Sequence, residues 1–155
     1  MRITVHENGY VMETPRYLSH EDVKDINTLF ETLSPNTPSL THEQLNSKLV
    51  CGSHLTLLVI REPVENRVVG MTSFIRIERL SRVCGRIEDV VVHEAHRRKG
   101  LARFLVAYAI SLAKTAQMKH VDLSSGVRRV EAHRLYASLG FKLRDASTAW
   151  RIRFY

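Results

Sequence analysis

The stretch that decides the fold of this chain runs from Ile87 to Ala102 and reads IEDVVVHEAHRRKGLA. Its first part, Ile87–Val92, is apolar and β-branched, which is typical of a strand. A short loop follows with consecutive cations at positions 97–99, and the strongest helical pattern of the chain begins directly after it. The sequence therefore predicts a strand, a basic loop and a long helix in direct succession.

Apolar residues recur at helical spacing after the basic loop, which indicates one buried helix face. The face is predicted to consist of Leu101, Leu105, Tyr108, Leu112 and Ala116, widened by Phe104 and Ala109. We expect this helix to end near Met118.

The start of this helix has the properties of an anion site. Backbone N–H groups at a helix start have no partner within the helix, and the helix dipole favours negative charge there. Gly100 and Ala102 keep side chains small where a phosphate would approach the backbone. Cations at positions 97–99 are unfavourable at this end of a helix unless an anion is bound. The pattern favours a phosphate-binding role over a merely basic helix end.

On the N-terminal side, residues 2–12 alternate loosely and predict a first strand. Ser19, followed by Asp22 at the third helical position, predicts the start of a helix. Thr41 and Gln44 have the same capping-box spacing and predict a short helix that runs to about Leu49.

The centre and the C-terminal side supply the remaining elements, in an alternation of strands and helices typical of an α/β fold. Gly140 suits the C-terminal end of the second amphipathic helix. The predicted elements are a hairpin of 55–60 and Val68–Ile77 around a turn at 62–67, a strand at Lys119–Leu123, a helix at Val130–Leu139, and closing strands at Phe141–Leu143 and Ala149–Phe154. We expect one α/β domain over residues 1–155, with a largely antiparallel sheet and helices on its faces.

Composition narrows the class of protein. Hydrophobic residues make up 44% and charged residues 25%, which is ordinary for a soluble globular protein. No stretch approaches the roughly 20 apolar residues of a membrane span, and the first residues lack a secretory apolar run. Cys51 and Cys84 fit neither a disulfide framework nor a zinc motif, and His93 with His96 has no clear third ligand. These observations predict a cytoplasmic protein with reduced thiols, no membrane partner and no metal.

The formal net charge of +7 predicts attraction to anions. Lysines and arginines are spread along the chain, with local density at 97–99 and 128–129, which favours discrete anion sites over a nucleic-acid track. A solvated basic surface stays open as an alternative. A nucleic-acid-binding module without catalysis is the rival from another class, and it predicts strongly salt-dependent binding.

Two motifs resemble the GNAT superfamily of N-acetyltransferases. Arg97-x-x-Gly100-x-Ala102 is similar to the family's Arg/Gln-x-x-Gly-x-Gly/Ala motif, and LYASLGF at 135–141 is similar to its Phe/Leu-Tyr-x-x-x-Gly-Phe segment. The resemblance covers about residues 54–154 and is weak before them. It implies a mixed, mostly antiparallel sheet of six to seven strands flanked by about four helices, with the fourth and fifth strands splayed apart.

The resemblance also implies acetyl-CoA as cosubstrate. The fourth strand of the family pairs with the pantetheine arm, which corresponds here to Val90, Val91 and Val92. The pyrophosphate would lie on the following loop, which comprises Arg97, Arg98, Lys99, Gly100, Leu101 and Ala102, with Arg103 nearby.

The implied reaction is direct attack of an uncharged amine on the thioester. Most alkyl amines are protonated at neutral pH, so a base must remove a proton, and Glu88 and Asp89 are the candidates for that base or for holding the ammonium. Because successive strand residues face opposite sides, we expect at most one of them in the acceptor cleft. A strand-end salt bridge is the alternative for this pair. Tyr136 matches a tyrosine that can protonate the leaving thiolate, and the alternative is a packing residue.

The acceptor is predicted only as a small-molecule or peptide amine. Cys84-Gly85 with Ile87–Val92 also resembles the corresponding strand of glucosamine-6-phosphate N-acetyltransferases, but residues 124–133 depart from their pattern. That activity and a non-catalytic CoA-binding domain stay open. The family's frequent dimerisation, with apolar residues at alternate positions of 150–155, favours a homodimer.

Overall fold

The computed structural model describes residues 3–50, 54–144 and 151–154. The chain divides into two compact units, Met1–Ser124 and Ser125–Tyr155. The first unit contains strands β1 (Ile3–Val5), β2 (Val11–Glu13), β3 (Leu55–Arg61), β4 (Val68–Arg79), β5 (Arg82–Val92) and β6 (Val121–Leu123), with helices α1 (His20–Leu33), α2 (His42–Val50) and α3 (Leu101–Thr115). The second unit contains helix α4 (Val130–Ser138).

The six strands form one sheet in the order in which they occur along the chain. Neighbouring strands from β1 to β5 are antiparallel, and β6 is parallel to β5. The predicted α/β fold, with a mixed and mostly antiparallel sheet and four helices, is confirmed. Strand β6 pairs with β5 only from Gly85 to Ile87, whereas β5 continues to Val92. Pairing between the two strands therefore ends before Glu88, at the position of the predicted splay, and β6 itself ends at Leu123.

Helices cover both faces of the sheet. On one face, α1 buries Val23, Ile26 and Leu29 against strand residues that include Met71 and Val91. Side chains alternate along a strand, so Leu58 and Ile60 of β3 face the other side, where α3 packs.

Local sequence signals define the starts of α1 and α2. The Ser19 hydroxyl accepts from the Asp22 N–H at 3.1 Å, and the Asp22 carboxylate accepts from the Ser19 N–H at 2.9 Å. Thr41 and Gln44 make the same reciprocal pair at 3.1 and 2.8 Å. Both predicted capping boxes are confirmed. Arg61 joins the Asp22 carboxylate at 2.7 Å and thereby fixes the start of α1 to the end of β3.

Three predicted strands near the ends of the chain differ from the structure. In place of the single strand predicted over 2–12, the described residues form two strands, β1 and β2, because a turn with Gly9 at φ +78° reverses the chain between them. Phe141–Leu143 has no regular structure, since a strand requires a partner and no described segment pairs with it. In the predicted strand Ala149–Phe154, residues 151–154 have no regular structure and 149–150 lie outside the described residues.

The buried face of α3 is displaced from the predicted one. Its buried residues are Leu101, Leu105, Val106, Ala109 and Ala113. Tyr108 and Leu112 are half-buried and Ala116 is exposed, because the helix approaches the sheet along a stripe that carries small alanines. The helix ends at Thr115 rather than near Met118, with Ala116 as its C-cap and Gln117 in the left-handed conformation after that cap.

Candidate functional site

A β-bulge interrupts β5 where it leaves β6. Met71 of β4 is opposite Val91 and Ser73 is opposite Glu88, so Asp89 and Val90 together lie opposite Thr72. Asp89 has φ +57°, a left-handed conformation that few side chains adopt in a strand. The Thr72 hydroxyl donates to the Glu88 carbonyl at 2.8 Å beside the bulge. This distortion interrupts the simple alternation that was expected to separate Glu88 from Asp89.

The two carboxylates at the bulge have different surroundings. Burial raises the pKa of Asp89, a hydrogen bond from Ser73 at 2.9 Å opposes that rise, and the Glu88 charge adds to it. Glu88 forms an ion pair with Arg86, which also donates to the Ser124 hydroxyl at 2.6 Å. The hydrogen-bond partner of Asp89 is thus the neutral Ser73, whereas the charge of Glu88 is already paired with Arg86.

The loop after β5 is fixed to the sheet at two points. The His93 N–H donates to the Val69 carbonyl at 2.8 Å, and Arg97 Nε donates to the Val92 carbonyl at 3.1 Å. A short 3-10 turn at Glu94–His96 lies between these two anchors. These contacts hold the loop against the ends of β4 and β5 as it approaches α3.

The N-terminus of α3 is open to an anion. Its N-cap is Gly100 at φ +75°, no side chain caps the helix, and its first turn contains no acidic residue. Arg98 also has a positive φ, +59°, so two left-handed residues alternate with ordinary ones in this loop. Such an alternation turns successive N–H groups towards one concave point, which is an arrangement that binds anions. The residues present fit a pyrophosphate here.

Lys99 is held by Tyr10, which lies directly before β2. Its ammonium donates to the Tyr10 hydroxyl at 3.0 Å and lies 5.5 Å from the centre of the Tyr10 ring. The same hydroxyl lies 2.9 Å from His96 Nδ1. Burial lowers the pKa of His96, as do the charges of Lys99 and His93, while Glu62 acts in the opposite direction. The imidazole therefore stays neutral at neutral pH.

The other predicted contacts to the cosubstrate lie along β5 and the first turn of α3. Val90 is half-buried, and Val91 and Val92 are buried. At the start of α3, Leu101 is buried, Ala102 is half-buried and Arg103 is exposed. The first unit thus brings the predicted strand, loop and helix start together in one continuous segment.

Tyr136 lies in the second unit, on α4. It is buried, and its ring contacts Phe141 with 6.0 Å between the ring centres. Burial raises the pKa of the Tyr136 hydroxyl, and the nearby Arg129 opposes that rise. The hydroxyl is therefore protonated over the physiological range. Its catalytic role stays a prediction.

The remaining sequence candidates are a metal site, a membrane span and the two cysteines. Among the described residues, no three His, Cys, Asp or Glu side chains are grouped so as to hold a metal ion. Within the same residues, no helix is long and apolar enough to cross a membrane. Cys84 is a buried free thiol, and Cys51 lies outside the described residues.

Sequence reasoning missed three residues of this region: Ser73, Arg86 and Tyr10. Ser73 is brought near by the sheet register and Tyr10 by a distant hairpin, whereas Arg86 lies on the same strand as Glu88. Arg86 could have been suspected, because it precedes Glu88 by two residues and alternation places both on one face of β5. Ser73 and Tyr10 carry no local signal.

Comparison with known proteins places the chain in a family. The sequence profile of the acetyltransferase (GNAT) family matches residues 22–141, which is well over half of the chain. An uncharacterized N-acetyltransferase, YhdJ of Bacillus subtilis strain 168, is 40% identical over 58 residues. That stretch spans 37% of this chain and only 41% of the relative's length.

Solved structures share the fold over nearly the whole chain. A putative acetyltransferase from Agrobacterium tumefaciens strain C58 is 26% identical with a TM-score of 0.74, covering 92% of this chain and 99% of that one. The glucosamine-6-phosphate N-acetyltransferase of Arabidopsis thaliana is 21% identical with a TM-score of 0.74, covering 93% and 99%. At that identity the second likeness shows the fold alone. From the profile match, the mixed sheet with its short β5–β6 pairing and the open helix start after β5, we conclude that this chain belongs to the GNAT family of acetyltransferases.

Proposed function

We propose that the protein is an N-acetyltransferase that transfers the acetyl group of acetyl-CoA to a primary amine of a small molecule or peptide. Membership of an acetyltransferase family supports the reaction class. The donor is supported by the uncapped, acid-free start of α3 behind a loop with two left-handed residues. The proposed compartment is the cytoplasm, as the buried free thiol of Cys84 suits a reducing environment. A homodimer stays a prediction.

In this proposal the loop from Arg97 to Gly100 and the first turn of α3 bind the pyrophosphate through backbone N–H groups. Residues Val90–Val92 bind the pantetheine arm along the part of β5 that β6 leaves unpaired. When bound, acetyl-CoA supplies the thioester that the amine attacks. The chain contributes a fixed cradle for the donor and an edge of strand along which the donor can lie.

Asp89 is the proposed general base, and its half-buried carboxylate beside Ser73 at the bulge is the observation on which the mechanism rests. A base works best when its pKa lies near the operating pH, and burial moves the pKa of Asp89 in that direction. Ser73 orients the carboxylate by donating to one of its oxygens, which leaves the other for the ammonium of the acceptor. Glu88, already paired with Arg86, would hold the charge of the acceptor rather than take its proton.

Backbone N–H groups at the bulge are proposed to stabilise the negative charge that develops on the thioester carbonyl. Tyr136 is the proposed proton donor to the departing thiolate, since its hydroxyl keeps its proton at neutral pH. The proposed catalytic residues are therefore Asp89 and Glu88 of the first unit and Tyr136 of the second.

The test measures thiol release from acetyl-CoA with a panel of sugar phosphates, polyamines, aminoglycosides and peptides with free N-termini. We expect amine-dependent release of CoA, and glucosamine 6-phosphate belongs in the panel because part of β5 resembles enzymes that use it. Binding of acetyl-CoA without turnover on any amine would leave a CoA-binding domain. Failure to bind acetyl-CoA at all, measured by calorimetry, would refute the proposal.

A further inference from the structure

The β1–β2 hairpin lies against the loop that precedes α3, although the two segments are far apart in the sequence. His6, in the turn between the strands, packs on Phe104 of α3 with 5.1 Å between ring centres. Tyr10, directly before β2, is only 5% exposed and places its hydroxyl between Lys99 and His96. The hairpin is therefore part of the wall behind the open helix start.

The hydrogen-bond directions at Tyr10 follow from the chemistry of its partners. An ammonium can only donate, so Lys99 donates to the Tyr10 oxygen. The hydroxyl hydrogen is then available for His96 Nδ1, 2.9 Å away, provided that this nitrogen carries no proton. Lys99, Tyr10 and His96 form one directed chain of hydrogen bonds, which begins and ends in the same loop.

We propose that Tyr10 is a positioning residue for the acetyl-CoA site, which holds the loop in its anion-binding conformation by joining Lys99 to His96. This inference rests on the proposed function. Lys99 comes directly before Gly100 and directly after Arg98, the two left-handed residues of the loop. Fixing Lys99 on one side and His96 on the other therefore restrains the backbone whose N–H groups would bind the pyrophosphate. A loop held in place before binding loses less conformational entropy when the ligand arrives.

Protonation of His96 would remove the acceptor at the end of this chain. A protonated Nδ1 is a donor, so it cannot accept from Tyr10, and the new positive charge would face Lys99 and His93. Glu62 faces His96 with the opposite charge and would partly offset this repulsion. His6 faces Tyr10 from the hairpin, with 6.5 Å between ring centres. Because the His96 pKa lies below its usual range, we expect acetyl-CoA affinity to hold at neutral pH and to fall as the solution is acidified through that lowered pKa.

The experiment measures CoA binding by calorimetry to the full chain and to Tyr10→Phe, which keeps the ring and removes the hydroxyl. Loss of one hydrogen-bond relay is expected to raise the Kd for CoA by about 3- to 10-fold, with kcat at saturating acetyl-CoA unchanged. Tyr17→Phe is the matched control, because Tyr17 is 65% exposed and lies in a different contact with His42. Its Kd should equal that of the unmodified protein.

Two further measurements separate positioning from general destabilisation. In a double-mutant cycle with Lys99→Met, Tyr10→Phe should cost less than it does alone, since its partner is already gone. The decline in CoA affinity from pH 7.5 to 5.5 should also be smaller in Tyr10→Phe. Unchanged CoA affinity in Tyr10→Phe, or full additivity with Lys99→Met, would overturn the inference while leaving the proposed function intact. Absence of CoA binding in the unmodified protein would instead refute the proposed function.

Discussion

Replacing Asp89 by Asn tests the proposed base, because it keeps the shape of the side chain and removes its ability to take a proton. The Ser73 hydroxyl can still donate to the amide oxygen, so the bulge should persist. General base catalysis typically contributes 10²- to 10⁴-fold, and we expect kcat to fall by about that range. Acetyl-CoA affinity should change little, since the loop before α3 is untouched.

Asp89→Asn is expected to raise the stability of the protein, although it lowers the turnover. Asp89 has a folded-state pKa above its ordinary value, so the ionised carboxylate is disfavoured by folding and the native state loses stability as pH rises through that pKa. The amide that replaces the carboxylate carries no charge, so Asp89→Asn is expected to melt at a higher temperature at pH 7.5 but not at pH 3. A variant that is more stable and less active is hard to attribute to misfolding.

The assay is steady-state thiol release as a function of pH, with CoA affinity measured separately by calorimetry. Ser73→Ala supplies a second arm: the Ser73 hydrogen bond lowers the Asp89 pKa, so its loss should move the acid limb of kcat/KM to higher pH. Glu88→Gln is the comparison within the acidic pair, and we expect it to change the acceptor KM more than the acid limb. The reasoning is refuted if Asp89→Asn retains kcat within a factor of about three, or if its CoA affinity falls as much as its turnover.

Three further predictions concern the helix start and the scaffold. Gly100→Ala places a side chain at φ +75°, where an L-residue is strained by about 1 kcal/mol or more. Relief of that strain would move the loop out of its anion-binding conformation, so CoA affinity measured by calorimetry should fall several-fold. Unchanged affinity would contradict this prediction. Burial raises the pKa of Asp22, but Arg61 and the helix cap hold it below its usual value, so its stabilisation is present at neutral pH and lost as pH falls through that pKa. Asp22→Asn should therefore unfold at lower urea at pH 7, with a smaller decline towards pH 3; parallel pH curves would contradict this. Gly85→Ala would bring a Cβ within 2.7 Å of the Phe74 ring and should destabilise the sheet by about 1–3 kcal/mol in urea unfolding, whereas an unchanged midpoint would show that the ring moves aside freely.

Sequence reasoning succeeded where the determining contacts are local. The capping boxes at Ser19 and Thr41 depend on residues three positions apart, and the structure forms both. The strand, loop and helix around Gly100 also follow from adjacent residues. These patterns establish the fold class and support the segment proposed for the donor.

The features that sequence reasoning missed depend on partners distant along the chain. The bulge at Asp89 arises from the register between β4 and β5, which no pattern within residues 87–92 reveals. The contact between Tyr10 and Lys99 joins residues 89 positions apart. The buried face of α3 depends on which side chains the sheet admits, and Ala113 proved to be buried where Ala116 was expected.

The consecutive order of the strands has a consequence for how the chain folds. From β3 to β5, each strand can pair with the one just completed, so this part of the sheet assembles by closing short loops. The union of β5 with β6 must await the whole of α3, and the union of β2 with β3 must await α1 and α2, so these two pairings are the slow, long-distance closures in the sheet. Residues 85–87, at which β5 pairs with β6, are therefore paired late in folding, and they lie directly before the point at which that pairing ends.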